Sequence, residues 1–527
     1  CGLTKGADAF MYLHKFAGKM PKSVMMLVLV CALSMCLGPM TTTVVGAPSR
    51  AGVSEVVIAQ GADAVTLDPQ KQSDTDTGNV CNSIYDPVLL RDHDMSIKPA
   101  LATDYKRISA TEWELNLRRD VKFHNGEPFN AEAVKFTFDR VKDPATRALA
   151  ASYFSSIVKC EVVGPYTVRF VTDGPDPIFL ARMTNLLVVP PKYIKEKGED
   201  YFGRNPVGTG PYRFVQWVRD DRVVVEAYDQ YFRGKPAVDR ITWKAVPEMA
   251  TRIAGLQSGE IDLVQAIPAD QVGVLKASRS VSVVTTPCAQ IQMLNFNIDV
   301  PPADNKYFRL AVAHAVDPRP IVEGLMSNYA TVLDIPIADV IPNAPKGIKR
   351  LPYDPAKAKD YLAKAGYPSG VSVEMICQNG KYPMDKEIAQ VLAQQLSQVG
   401  IRVTLKPTEF GQFQTLVKTR KISPIYTSGG NNVWFDADPQ VTAFYATDGP
   451  ISTYSNKALD DLVIKGRTSL DAKERLSIYE KAYTMVRDEA AGIGIIQYTL
   501  LSAISNKVSW APRPDGRIRA YEIGLSK

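Results

Sequence analysis

The stretch Asp385–Pro407, DKEIAQVLAQQLSQVGIRVTLKP, decides the fold class. Ile388, Val391, Leu392 and Leu396 recur at the three-and-four spacing that lines one face of a helix. Gly400 ends that pattern, since glycine readily takes the backbone conformation that closes a helix. IRVTLKP then alternates apolar and polar side chains with the period of two of a half-buried strand. With a further strand before the helix, the segment reads strand–helix–strand. Upstream, YDPAKAKDYLAKAGYPSG (Tyr353–Gly370) has Asp354 as N-cap, Pro355 at the first helical position and Gly366 as stop. The runs VSEVVIAQG, TEWELNL, YTVRFVT and RVVVEAY are strand-like and EMATRIAGLQSG is helix-like, so the chain is mixed α/β.

At 527 residues the chain exceeds what one hydrophobic core usually supports, so two or three subdomains are expected. Its 45% hydrophobic and 22% charged residues match an ordinary globular protein rather than a disordered one. The N-terminal part differs: Lys15, Lys19 and Lys22 precede the 14-residue apolar run VMMLVLVCALSMCL (Val24–Leu37), followed by small residues. A membrane span needs about 20 apolar residues, so residues 1–46 read as a secretory leader cleaved near Gly46 or Ala47. The chain opens on Cys1, which places the expected start at Met11 or Met20 and makes the preceding residues an extension. A lipoprotein anchor at Cys36 is disfavoured by the bulk of Met35 before it. The leader holds four lysines against one aspartate, so its removal lowers the formal net charge from +6 to +3. That charge, without clusters of Lys and Arg interleaved with aromatics, argues against nucleic acid as a partner. Cys81, Cys160, Cys288 and Cys377 remain, either as one or two disulfides or as small buried hydrophobes.

Signatures of catalysis are missing from the sequence: HExxH, the P-loop spacing and GxSxG do not occur, and GTGPYR has Arg213 where a dinucleotide fingerprint needs its third glycine. No metal, cofactor or enzymatic activity is therefore expected. In VKFHNGEPFNAEAVKFTFDR (Val121–Arg140), Trp113, Leu115 and Leu117 form a strand before it, Asn130 caps a helix within it, and His124 is structural beside a tight turn. The acid pairs Asp74/Asp76 and Asp436/Asp438 suit acid–base work, though such pairs more often start turns and helices.

That same stretch, with NPVGTGPYRFVQW (Asn205–Trp217), SGEIDLV (Ser258–Val264), FRLAVAHAVDPRPIV (Phe308–Val322) and YDPAKAKDYLAKAGYPSG, resembles the family 5 extracellular solute-binding proteins of ABC importers, the dipeptide, oligopeptide and nickel group. The resemblance implies a type II (cluster C) periplasmic-binding-protein fold, with two lobes closing on a ligand and an extra inserted domain. Lobe one would comprise 47–98, 206–294 and 497–527, the inserted domain 99–205 and lobe two 295–496. It further implies a periplasmic monomer that captures small peptides and hands them to the membrane subunits of an ABC permease. By analogy with peptide-binding members, Asp436 or Asp438 would hold the ligand's amine and Lys381, in CQNGKYPMD, its carboxylate. Trp434, Tyr382 and Phe435 would line the pocket, and Asn295 and Asn297 in LNFNID would bond the peptide backbone. Glutathione, nickel chelates, haem, opines and sugars are alternative ligands on the same scaffold. A secreted hydrolase using Asp436 and Asp438, and an accessory protein serving a membrane receptor, are rivals of other classes.

Overall fold

In the computed structural model the described residues are 53–526, so the leader, its cleavage point and the expected start lie outside them. The central feature is one large mixed sheet. Its strands in chain order are β1 (Glu55–Gln60), β2 (Tyr212–Val218), β3 (Arg222–Ala227), β4 (Arg240–Ala245), β5 (Leu263–Gln265), β6 (Val281–Phe296), β7 (Ala330–Val332), β8 (Val371–Gln378), β9 (Ile401–Thr408), β10 (Ile425–Asn431) and β11 (Gly492–Ser505). Across the sheet the order is β9-β8-β10-β6-β11-β5-β1-β4-β3-β2, with β7 added on β11.

The long strands β6 and β11 run antiparallel through the middle and join the two halves. Their register shifts between Pro287 and Ile291 and again between Gln292 and Met293, so the ladder is irregular at the crossing. The expected lobe borders at 294/295 and 496/497 fall within these strands.

The stretch that opened the sequence reading folds as its pattern predicts. Helix α5 (Asp385–Gln398) buries Ile388, Leu392 and Leu396, Gly400 takes φ +96°, and β9 pairs in parallel with β8. A parallel pair requires such a crossover, and α5 supplies it. Helix α4 (Pro355–Lys364) starts on the Asp354 cap, whose carboxylate accepts from Lys357 N–H at 2.9 Å. These elements share a core with helix α3 (Lys306–Ala315), through Phe308, Leu362, Met375, Leu392 and Ile425. The other half has its own core around Trp243, Tyr85, Tyr212 and Ile58, beside helix α1 (Thr75–Ile84).

Between β1 and β2 the chain builds a separate four-stranded antiparallel sheet, ordered Ala102–Arg107, Glu112–Leu117, Thr167–Thr172, Ile157–Gly164. Helix α2 (Ala131–Lys142) packs on it, capped by Asn130, with Phe138 edge-on to Phe170 at 5.6 Å. His124 clips this unit to the main body: Nε2 donates to Gly210 O at 2.9 Å, and Gly208 N–H points at Nδ1. Burial lowers its pKa to about 4, so the ring is neutral at neutral pH. The two glycines of GTGPYR are steric requirements, since a Cβ on Gly208 would stand 2.0 Å from Ile84 O. All four described cysteines are free, buried thiols.

Candidate functional site

Of the aspartates expected to hold a ligand amine, Asp436 is engaged inside the lobe. It caps helix α6 (Ala437–Tyr445), accepting from Asp438 N–H at 2.9 Å. Its two oxygens also receive the guanidinium of Arg475, on helix α7 (Ala472–Asp488), at 2.5 and 2.6 Å, and the Asn343 amide at 2.9 Å. Asp438 accepts from Tyr479 O–H at 2.9 Å and Thr442 O–H at 3.0 Å. Burial, and then the negative charge of Asp436, push its carboxyl above the ordinary value. Both side chains are buried in this network.

Asn295 and Asn297 are also internal. The Asn295 amide bonds Ser428 and Tyr445, and that of Asn297 donates to the carbonyls of Arg420 and Ile422. Tyr382 lies over Gly429 and stacks against Tyr498 at 6.2 Å. Lys381 is exposed, with its ammonium 4.6 Å from the centre of the Phe410 ring. None of these eight residues lines the cavity formed beside Trp434 by Gln72, Tyr153, Asn185, Asn431 and Arg517.

What the loop after β10 does is reach across the molecule. Trp434 meets Tyr153 edge-on at 5.2 Å, lies under the Arg182 guanidinium at 5.2 Å, and its carbonyl accepts from Arg91 at 3.0 Å. Arg91 in turn covers Phe435, a buried residue held at φ +54°. Burial lowers the Arg91 pKa to about 10, with Asp515 acting in the opposite direction. Two of the predicted aromatics thus form a contact between lobe two and the rest of the chain.

Beside that contact lies a cavity of about 180 Å³ to which five distant segments contribute. Asn431 and Val433 come from lobe two, Gln72 and Asp74 from the approach to α1, Tyr153 and Asn185 from the inserted part, and Asp515 and Arg517 from the C-terminal segment. For scale, a ~150 Å³ cavity holds benzene. Two wider depressions, of about 420 and 340 Å³, lie on the inserted unit alone. Of the three, only the smallest draws its walls from distant parts of the chain, the setting in which ligand sites are commonly found.

Charge inside it is unevenly committed. The Asp515 oxygens face the Arg513 guanidinium, as close as 3.0 Å. Burial opposes ionisation of Asp515, but Arg513 prevails and holds the carboxyl below its ordinary value. Asp74 caps α1 through Thr77 N–H at 2.7 Å and is otherwise exposed. Among the described residues the Arg517 guanidinium donates one hydrogen bond, to Asn185 Oδ1 at 3.4 Å. Among the described residues no group of three or more His, Cys, Asp and Glu side chains is placed to hold a metal ion, and no helix is long and apolar enough to cross a membrane. Sequence reasoning named Asp74 as part of an acid pair but passed over Arg517, whose signal is the dense arginine spacing of RPDGRIR (Arg513–Arg519).

Residues 96–451 match the model of bacterial extracellular solute-binding proteins, family 5 Middle. The glutathione-binding protein GsiB of Shigella dysenteriae serotype 1 (strain Sd197) is 30% identical over 472 residues, spanning 86% of this chain and 91% of that protein. Among solved structures, HbpA2 of Haemophilus parasuis superimposes with TM-score 0.83 at 21% identity, covering 90% of this chain and 100% of that one. The periplasmic binding protein DppA of Helicobacter pylori, in complex with peptide STSA, gives TM-score 0.72 at 25% identity over 90% and 98%.

Proposed function

The chain belongs to the bacterial extracellular solute-binding proteins of family 5, and from that premise we propose that it captures a short peptide or peptide-like solute between its lobes for an ABC permease. The observation that carries the ligand class is the interlobe cavity, which offers one cation, Arg517, and an exposed carboxylate, Asp74, both on lobe-one segments and faced by Asn431 and Val433 of lobe two. A zwitterion needs both, since burying either of its charges without a partner costs several kcal/mol. The relatives agree in kind: GsiB is described as glutathione-binding and DppA was solved with a peptide. Glutathione is the first compound to test.

The mechanism is binding without bond chemistry. Ligand enters the open arrangement and the lobes close about β6 and β11; the permease then reads the closed form. A ligand can drive closure only by its differential affinity for that form. A dissociation constant of about 1 μM corresponds to −8.2 kcal/mol, within the range of one buried charge pair plus amide hydrogen bonds.

Native mass spectrometry of the purified protein, followed by calorimetric titration with glutathione and with mixed dipeptides, tests this reading. Peptide or glutathione released intact on denaturation, and micromolar binding, support it. A single non-peptide solute would overturn the ligand class, and cleavage of the added peptide would overturn the binding-only mechanism.

A further inference from the structure

Arg517 stands out among the charged groups of the interlobe cavity. Its guanidinium donates one hydrogen bond, to Asn185 Oδ1 at 3.4 Å, and no carboxylate lies within 4.0 Å of it among the described residues. The nearest candidate, Asp515, is taken by Arg513, which also binds Glu522 at 2.6 Å. Asp515 serves Arg517 only at the backbone, accepting its N–H at 3.1 Å. That bond fixes where the Arg517 side chain leaves the chain. The arginine is thus placed, half-buried, on the cavity wall with its fork of donors uncommitted, and such a fork matches a carboxylate in two parallel hydrogen bonds.

A second group in the same cavity is also without a partner. Gln72 Oε1 is shielded from solvent and accepts no hydrogen bond. It lies against Gly78, another lining residue, 3.7 Å from where a Cβ there would stand. A buried acceptor left unmade costs about 1–3 kcal/mol, so a ligand that supplies an N–H gains once a small turn of the Gln72 side chain brings Oε1 to the cavity surface.

We propose that Arg517 is the carboxylate anchor of the interlobe site and that Gln72 accepts an amide N–H of the same ligand, so that the protein selects peptides with a free C-terminal carboxylate. The assignment rests on the peptide-binding reading above and deepens it. It moves the carboxylate partner from Lys381, which packs on Phe410, to the C-terminal segment. Asn185, bonded to Arg517, is a positioning residue.

The test uses a defined tripeptide mixture in two forms, free acids and C-terminal amides, offered to the protein with bound species read by native mass spectrometry. Wild type should retain acids over amides by at least about 30-fold, the lower end for losing one partner of a buried charge pair. Arg517→Gln should bring that ratio to within about threefold while keeping its melting temperature, and Arg517→Lys should keep part of the preference. Acids and amides held equally by wild type would overturn the anchor while leaving peptide capture standing, and this arm needs no variant. An acid preference undiminished in a folded Arg517→Gln protein would overturn it too. Neither mixture bound by wild type would overturn the peptide reading, and the anchor with it.

Discussion

Replacing Asp436 with alanine separates two roles that one carboxylate could have. The Arg475 guanidinium sits on both Asp436 oxygens at 2.5 and 2.6 Å, and the aspartate and arginine side chains are 11% and 8% exposed. Removing the aspartate leaves a buried guanidinium whose remaining partners are the Gly466 carbonyl and the Tyr479 hydroxyl. Breaking one side of a buried pair typically costs 3–5 kcal/mol, and losing the cap of α6 adds about 1 kcal/mol. For a cooperative unit of this length the unfolding entropy is on the order of 1 kcal/mol per kelvin, so differential scanning calorimetry should show melting lowered by about 4–6 °C. Affinity for the ligand, measured well below that melting point, should change by less than about threefold, because the carboxylate is spent inside the lobe. Pairing Asp436→Asn with Arg475→Gln should recover part of the stability, since it leaves no uncompensated charge. The reasoning is refuted if Asp436→Ala melts like wild type but binds more than about 30-fold more weakly.

Asp86 and His124 should pull stability in opposite directions with pH. Burial raises Asp86 to about 6, against the hydrogen bonds from Tyr231 and Thr209, so its contribution is present below about 4 and lost as pH rises through about 6. Asp86→Asn should therefore gain on wild type by up to roughly 3 kcal/mol across that window, and a constant difference in melting curves from pH 4 to 7 would contradict it. His124, with its pKa lowered to about 4, stabilises above about 6.5 and loses that contribution as pH falls, so His124→Gln should lose ground to wild type at pH 7 relative to pH 4. Gly208→Ala should cost at least about 3 kcal/mol, because its methyl meets the backbone of Ile84 and not a side chain that can turn away, and soluble expression with unshifted melting would show otherwise. Trp434→Ala removes an edge-on aromatic contact and a cation–π contact worth about 1–2 kcal/mol together, so small-angle scattering should report a more extended ligand-free protein and calorimetry a loss of about 5- to 30-fold in affinity.

The parts of this molecule legible in the sequence are those whose causes are local. Asn130, Asp354 and Gly400 act within one helical turn, and the stripe of Ile388, Leu392 and Leu396 follows from a 3.6-residue period. The cavity has no such period. Its walls come from around residues 72, 153, 185, 431 and 517, brought together only when β6 and β11 assemble the sheet. Asp436 and Asp438 illustrate the limit most sharply: two carboxylates in DAD look free in sequence, while the arginine that neutralises one of them enters from α7, 39 residues on. A charge pattern shows how many charges a segment has and not which are already matched. The unmatched one, Arg517, carries no mark of it in sequence, because nothing in its own neighbourhood says that Arg513 takes the aspartate between them.

The same accounting constrains how closure can work. Trp434 touches Tyr153 and Arg182, and Arg91 holds its carbonyl, so protein groups themselves supply some adhesion between lobe two and the rest of the chain. If that adhesion were strong, the closed form would dominate and, on the proposed function, a permease would be offered empty carriers. A latch worth about 1–2 kcal/mol avoids this, because it shifts an equilibrium by roughly 5- to 30-fold, short of the ~10⁴-fold bias needed for a full population switch. On the reading proposed above, the remainder comes from a ligand anchored on Arg517 and Gln72 that also touches Asn431 and Val433 across the cavity. Asp436, whose oxygens are taken by Arg475 and which is off the cavity wall, has no part in that contact, whatever its contribution to the stability of the lobe.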